Sequence, residues 1–192
     1  MVAVGSNASP RVLRAKLAHR SGSSTPPMMR LTVMHIAVGY SAHVSARGYV
    51  PATPFFVHRA ELRTVGAWLT EEEAAALDTT EPNYHRMMLS TADHPVVAPL
   101  IPATFGLYVS RHGVVADPET GVRVPFGSQK DIIGWLDGRI PDLALRGPAA
   151  EVCARLGDPM VAGRLGTALR VGGLRTHAGL PVRRYDESAV LS

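Results

Sequence analysis

Apolar and polar positions follow strand spacing over most of the first 110 residues and helical spacing in a few separate segments. The run from Val2 to Val4 predicts a short buried strand close to the first residue. Ser9-Pro10 then reads as an N-cap followed by proline at the first helical position. In the helix that follows, Leu13 and Leu17 are four apart on one face, with Arg11, Arg14 and Lys16 pointing outward. Residues 21–27 form a polar loop that ends it.

Residues 31–58 hold two or three strands rich in Val, Ile, Tyr and Phe, punctuated by Gly39, Gly48, Pro51 and Pro54. Residues 63–69 are a further strand. Thr70-Glu71-Glu72-Glu73 is a capping box whose carboxylates also suit the positive end of a helix dipole. That helix must end by Glu81, because Pro82 disfavours the helical conformation in the residue before it. Strands over 84–89 and 105–109, a turn over 117–121 and a helix over 129–136 follow. Beyond Gly138 the pattern becomes helical. A short helix over 149–156 precedes a longer one opened by Asp158-Pro159, with Val161, Leu165 and Leu169 four apart and Gly172-Gly173 at its end. Many short strands with isolated helices predict an α+β fold built on a small mixed sheet or barrel with flanking helices. Residues 1–138 would form the main domain, and 139–192 a C-terminal helical extension with a loosely ordered tail.

Composition narrows the function classes. Apolar residues make up 46% of the 192 and charged residues 19%, which suits a globular chain. The net charge of +4 is carried almost wholly by arginine, since Lys16 and Lys130 are the two lysines among 20 cationic residues. The arginines are scattered and aromatics are 6%, so no stacking platform or basic stripe marks a nucleic-acid partner. The single cysteine, Cys153, excludes an internal disulfide and reads as a structural helix thiol. The eight histidines show no paired ligand spacing, so no metal is expected. No apolar stretch reaches membrane-spanning length and no export signal is evident, so a cytoplasmic protein without a membrane partner is expected.

Two segments carry candidate chemistry. Val4-Gly5-Ser6-Asn7 ends an apolar run in a glycine turn, where backbone N–H groups can bind a carboxylate or a developing oxyanion. Far downstream lies Leu77-Asp78-Thr79-Thr80-Glu81-Pro82-Asn83-Tyr84-His85-Arg86, with a glutamate on the turn after a helix. Together they resemble the γ-glutamylcyclotransferase-like family, whose motifs are an aromatic-Gly-Ser-Asn loop and a later Leu-Asp-x-x-Glu…Tyr-x-Arg segment. The resemblance covers about residues 1–138, with the segment from Val65 to Glu72, the strand around Tyr108 and the helix after Ser128 in the family's order. Val4 stands where the family usually has an aromatic residue, and Pro82 where glycine commonly follows the glutamate.

The resemblance implies cleavage of a small γ-glutamyl amide by its own α-amine, releasing 5-oxoproline and an amine with no cofactor. This is carbon–nitrogen lyase or acyltransferase chemistry. Glu81, on the turn after the helix, would be the proton shuttle. Val4, Gly5, Ser6, Asn7, Tyr84 and Tyr108 would bind the substrate. Both tyrosines read equally as core aromatics. Two other readings stand beside this one: a non-catalytic binding or regulatory member of the same fold, altered at Val4 and Pro82, and, more distantly, a basic nucleic-acid-binding protein.

Overall fold

The structure is a computed structural model and describes residues 1–18 and 25–180. The chain divides into two compact units. The first comprises, of the described residues, those of Met1–Ala37 and Pro54–Arg111 together with Gly179 and Leu180; the second comprises Val38–Thr53 and His112–Ala178. The expectation of a loosely ordered tail falls largely on residues 181–192, outside the described residues, as does part of the 21–27 loop.

The first unit opens with a 3₁₀ turn, Gly5–Ala8, and α1, Pro10–Leu17. Strand β1, Met28–Tyr40, lies between β2, Ala52–Ala67, and the short β4, Val96–Val97. Helix α2, Glu71–Thr79, leads to β3, Tyr84–Ser90, which pairs antiparallel with β5, Thr104–Ser110. The register sets Tyr84 opposite Ser110 and Arg86 opposite Tyr108.

Val2 joins the two strand groups. It bridges Gly66 antiparallel and Leu107 parallel, with its own N–H on the Gly106 carbonyl at 2.8 Å and the N–H of Ala3 on Val65 at 2.9 Å. The strand expected from Val2 to Val4 is therefore shortened to this bridge, because Gly5 at φ +69° turns the chain into the 3₁₀ turn at once. The separate strand expected over 63–69 is the end of the 16-residue β2. The fold is α+β with small, mainly antiparallel sheets. Among the described residues the strands do not close into a barrel, which removes that alternative.

The apolar face of α1 buries Leu13 and Leu17 against Ala67, Ala76, Leu77 and Tyr108, with Met1, Met28, Leu69 and Tyr84 packed around them. Fully burying a leucine is worth about 1.5–3 kcal/mol, so this cluster fixes α1 and α2 beside each other. The capping box of α2 is formed: Glu73 N–H donates to Thr70 Oγ1 at 3.2 Å and Thr70 N–H to Glu73 Oε2 at 2.9 Å.

The second unit holds the ends of β1 and β2, then β6, Val114–Val115, paired with β7, Arg175–Thr176. Helices α3, Gln129–Asp137, α4, Ala149–Leu156, and α5, Pro159–Val171, lie between them in sequence. Their inward residues Ile132, Leu136, Val152, Leu165 and Leu169 share one core with Tyr40 and Val115. Cys153 is half-buried against this core, which pushes its thiol pKa up. The Gln129 carboxamide clamps the Val50 peptide from both sides, at 2.8 and 2.9 Å. No helix among the described residues is long and apolar enough to cross a membrane.

Candidate active site

The two sequence motifs meet within the first unit. Val4 is half-buried and extended, Gly5 and Ser6 are exposed, and Asn7 is buried at 7% exposure. Helix α2 stops at Thr79, and a turn follows in which Glu81 N–H donates to the Asp78 carbonyl at 3.1 Å and Tyr84 N–H to the Glu81 carbonyl at 3.0 Å. This turn delivers the Glu81 side chain to the 3₁₀ turn. Asn7 Nδ2 donates to Glu81 Oε1 at 2.8 Å, across 74 residues of sequence.

Lys16 completes the cluster. Its Nζ donates to Asn7 Oδ1 at 2.8 Å and to Glu81 Oε1 at 2.5 Å. The sequence reading set Lys16 on the solvent face of α1, and that is corrected here. Position 16 lies on the flank between the buried stripe and the open face, and a four-carbon stem reaches from there to Glu81. The signal that could have found it is compositional: one of only two lysines in a chain that otherwise uses arginine for positive charge. The side chains of Lys16 and Glu81 are 22% and 13% exposed, so the ion pair is mostly covered yet touched by solvent. Glu81 Oε2 carries no hydrogen bond among the described residues, which leaves one carboxylate oxygen to take a proton.

A second ion pair backs the first. Asp78 is held by Arg86 at 3.1 Å and accepts the Tyr108 hydroxyl at 2.6 Å. The Leu-Asp-x-x-Glu…Tyr-x-Arg segment thus folds onto itself, its aspartate and arginine paired across the turn that carries Glu81. Tyr108 is 8% exposed. Burial, and then the hydrogen bond to Asp78, raise its phenol pKa, so it remains a neutral donor. Its ring belongs to the Leu13–Leu77 core, with the hydroxyl turned to Asp78. Tyr84 is half-buried against the same core.

The cluster therefore offers a carboxylate with one free oxygen, a fixed carboxamide, an ammonium, and an exposed glycine turn. A cavity of about 210 Å³, lined by Met1, Met29, Leu31, Met88 and Phe105 among others, shares no residue with it. Among the described residues no three His, Cys, Asp or Glu side chains are grouped so as to hold a metal ion.

No protein-family model matches the chain, and no curated protein matches it. The chain is similar to the solution structure of an Arabidopsis thaliana protein, with 18% identity, a TM-score of 0.43, and an alignment covering 77% of this chain and 92% of that one.

Proposed function

We propose that the protein is a γ-glutamyl cyclotransferase, converting a small γ-glutamyl amide into 5-oxoproline and a free amine. The observation that carries this reading is the Asn7–Glu81 hydrogen bond, which joins the two motifs on which the family resemblance rests. The substrate's α-ammonium has a reference pKa near ~8, so a base must take a proton before the nitrogen can attack. Glu81 Oε2 is the atom for that step. The freed amine adds to the γ-carbonyl and closes a five-membered ring. The C–N bond to the leaving amine then breaks as Glu81 returns the proton to that nitrogen, and the ring nitrogen, which carries two protons after attack, gives one to the vacated Glu81 carboxylate, from which it passes to the released amine as the neutral lactam forms. The exposed turn at Gly5 and Ser6 lies next to Asn7, where backbone N–H groups suit the oxygen that becomes negative during attack. Ring closure is intramolecular, so holding the substrate folded supplies much of the rate. The buried Tyr108 and the half-buried Tyr84 back the site, and the soluble γ-glutamyl compound is its partner.

The test is direct. The purified protein is incubated with a panel of γ-glutamyl amides and peptides, and 5-oxoproline is followed by mass spectrometry. Release of 5-oxoproline with the matching amine in equal amounts is expected from at least one member. A folded protein that yields none from the whole panel overturns the reading.

A further inference from the structure

We propose that Lys16 is the receptor for the substrate's α-carboxylate, and that binding there releases Glu81 to act as base. The inference rests on the cyclotransferase reading and divides the labour within that site. An ammonium has three N–H donors. Two of Lys16's are directed at Asn7 Oδ1 and Glu81 Oε1, and among the described residues the third has no partner. With 22% of the side chain exposed, an incoming ligand can reach that donor.

Charge balance gives the ligand's chemistry. A γ-glutamyl compound brings a carboxylate to a site that already contains Glu81, and two unneutralised carboxylates at close range repel. Lys16 is the cation in contact with Glu81, whereas Arg86 is engaged by Asp78. Lysine also suits an exchange of partners. Its compact charge on a flexible stem can turn from one carboxylate to another without breaking a planar two-point contact of the arginine kind. In the free protein Lys16 holds Glu81 Oε1; as the substrate carboxylate draws the ammonium away, Glu81 is left to the neighbouring α-ammonium. The backbone donors of the Gly5 turn then serve the γ-oxygen, not the α-carboxylate.

The experiment compares two substrates with the same leaving amine: the γ-glutamyl amide, and the 4-aminobutanoyl amide that lacks only the carboxylate and would cyclise to 2-pyrrolidinone. Each is assayed with wild type, Lys16→Met and Lys16→Arg, with melting curves for all three. A hydrogen bond to a charged group is worth about 1.5–3 kcal/mol, so wild type should favour the γ-glutamyl compound by roughly tenfold or more in kcat/KM. Lys16→Met should abolish that preference, chiefly through KM for the γ-glutamyl amide, so that the ratio of kcat/KM between the two substrates falls towards one whatever change in rate the two share. Lys16→Arg should restore part of the preference, and it carries the test alone if Lys16→Met does not fold. A folded Lys16→Met with the wild-type preference, or a Lys16→Arg indistinguishable from wild type on both substrates where it alone folds, overturns the role of Lys16 and leaves the cyclotransferase reading standing. Turnover of neither substrate, with no 5-oxoproline from the wider panel, overturns both.

Discussion

The Asn7 carboxamide and the Glu81 carboxylate meet at 2.8 Å, and each is held by the same third group, the Lys16 ammonium. The triangle is built from three separate pieces of chain: a 3₁₀ turn, the end of α1, and the turn after α2. Asn7 can bridge because its amide donates through nitrogen to the carboxylate and accepts through oxygen from the ammonium. It fixes the side chain of Glu81 through Oε1 alone and leaves Oε2 available. This is the arrangement expected of a positioned base, since an exposed carboxylate free to rotate would seldom point at the proton it must take.

Replacing Glu81 tests that role. Glu81→Gln keeps the shape and can still accept from Asn7 or Lys16 through its carbonyl, but it removes the basic oxygen. General acid–base catalysis contributes about 10²–10⁴-fold, so 5-oxoproline formation should fall at least about a hundredfold with the protein still folded. Glu73 serves as the comparison, because its carboxylate caps α2 through Thr70. Glu73→Gln should retain most activity and lose at most about 1 kcal/mol of stability. Near wild-type turnover by a folded Glu81→Gln protein would move the base elsewhere.

Tyr108 should matter more to stability than to chemistry. Its hydroxyl reaches Asp78 from a core position, and Asp78 keeps Arg86 if the hydroxyl is lost. Tyr108→Phe removes one hydrogen bond to a charged group, a loss of about 1.5–3 kcal/mol. For a chain of this size that lowers Tm by about 3–12 °C. Turnover should change by less than tenfold. A drop as large as that of Glu81→Gln, without a change in melting, would instead bring the phenol into contact with substrate.

Local signals made much of this fold readable from sequence. Ser9-Pro10, the Thr70–Glu73 box and Asp158-Pro159 each sit at a helix start, and the four-residue spacing of Leu13 and Leu17 matches their burial. Strand limits were less readable. Pro54 suggested a break, yet it lies inside β2, an outer strand of its three-stranded sheet, where a missing N–H is tolerated. Asn7 and Glu81 could be proposed because each lies in a motif. Lys16 lies in none, and its role depends on how far a side chain reaches from the flank of a helix across a gap set by tertiary packing.

Gly48 is the position in the second unit where backbone shape is most demanding. Its φ is +80°, and an added Cβ would lie 1.8 Å from the Cys153 carbonyl oxygen and 2.8 Å from the Gly157 nitrogen. Gly48→Ala must therefore push the end of α4 away from the 45–48 turn, in addition to straining its own backbone. The two effects together should cost about 2–4 kcal/mol. Gly121→Ala is the control, since Gly121 has φ +69° with nothing within 4 Å of the new atom, and should cost only about 1–2 kcal/mol. Equal losses in denaturant unfolding would show that the approach to Cys153 relaxes without penalty.

His43 should make the protein sensitive to mild acid. The ring is buried in the second unit, with Nδ1 2.6 Å from Ser41 Oγ and its face stacked on His112 at 4.6 Å between centroids. Burial first, and the neighbouring His112 second, lower its pKa from 6.5 to about 4. The folded protein thus prefers the neutral ring, and the stability this confers is fully present above pH 6.5. As pH falls from 6.5 towards about 4 the unfolded chain binds the proton first, so stability declines across that window and levels off below it. A shift of this size corresponds to about 3 kcal/mol. His43→Asn keeps an amide near the Nδ1 position for Ser41 but cannot titrate. Its denaturation free energy should be lower than wild type at pH 7, and the gap should narrow by about that amount by pH 4. Parallel profiles for the two proteins between pH 7 and 4 would show that His43 takes up its proton equally well folded and unfolded.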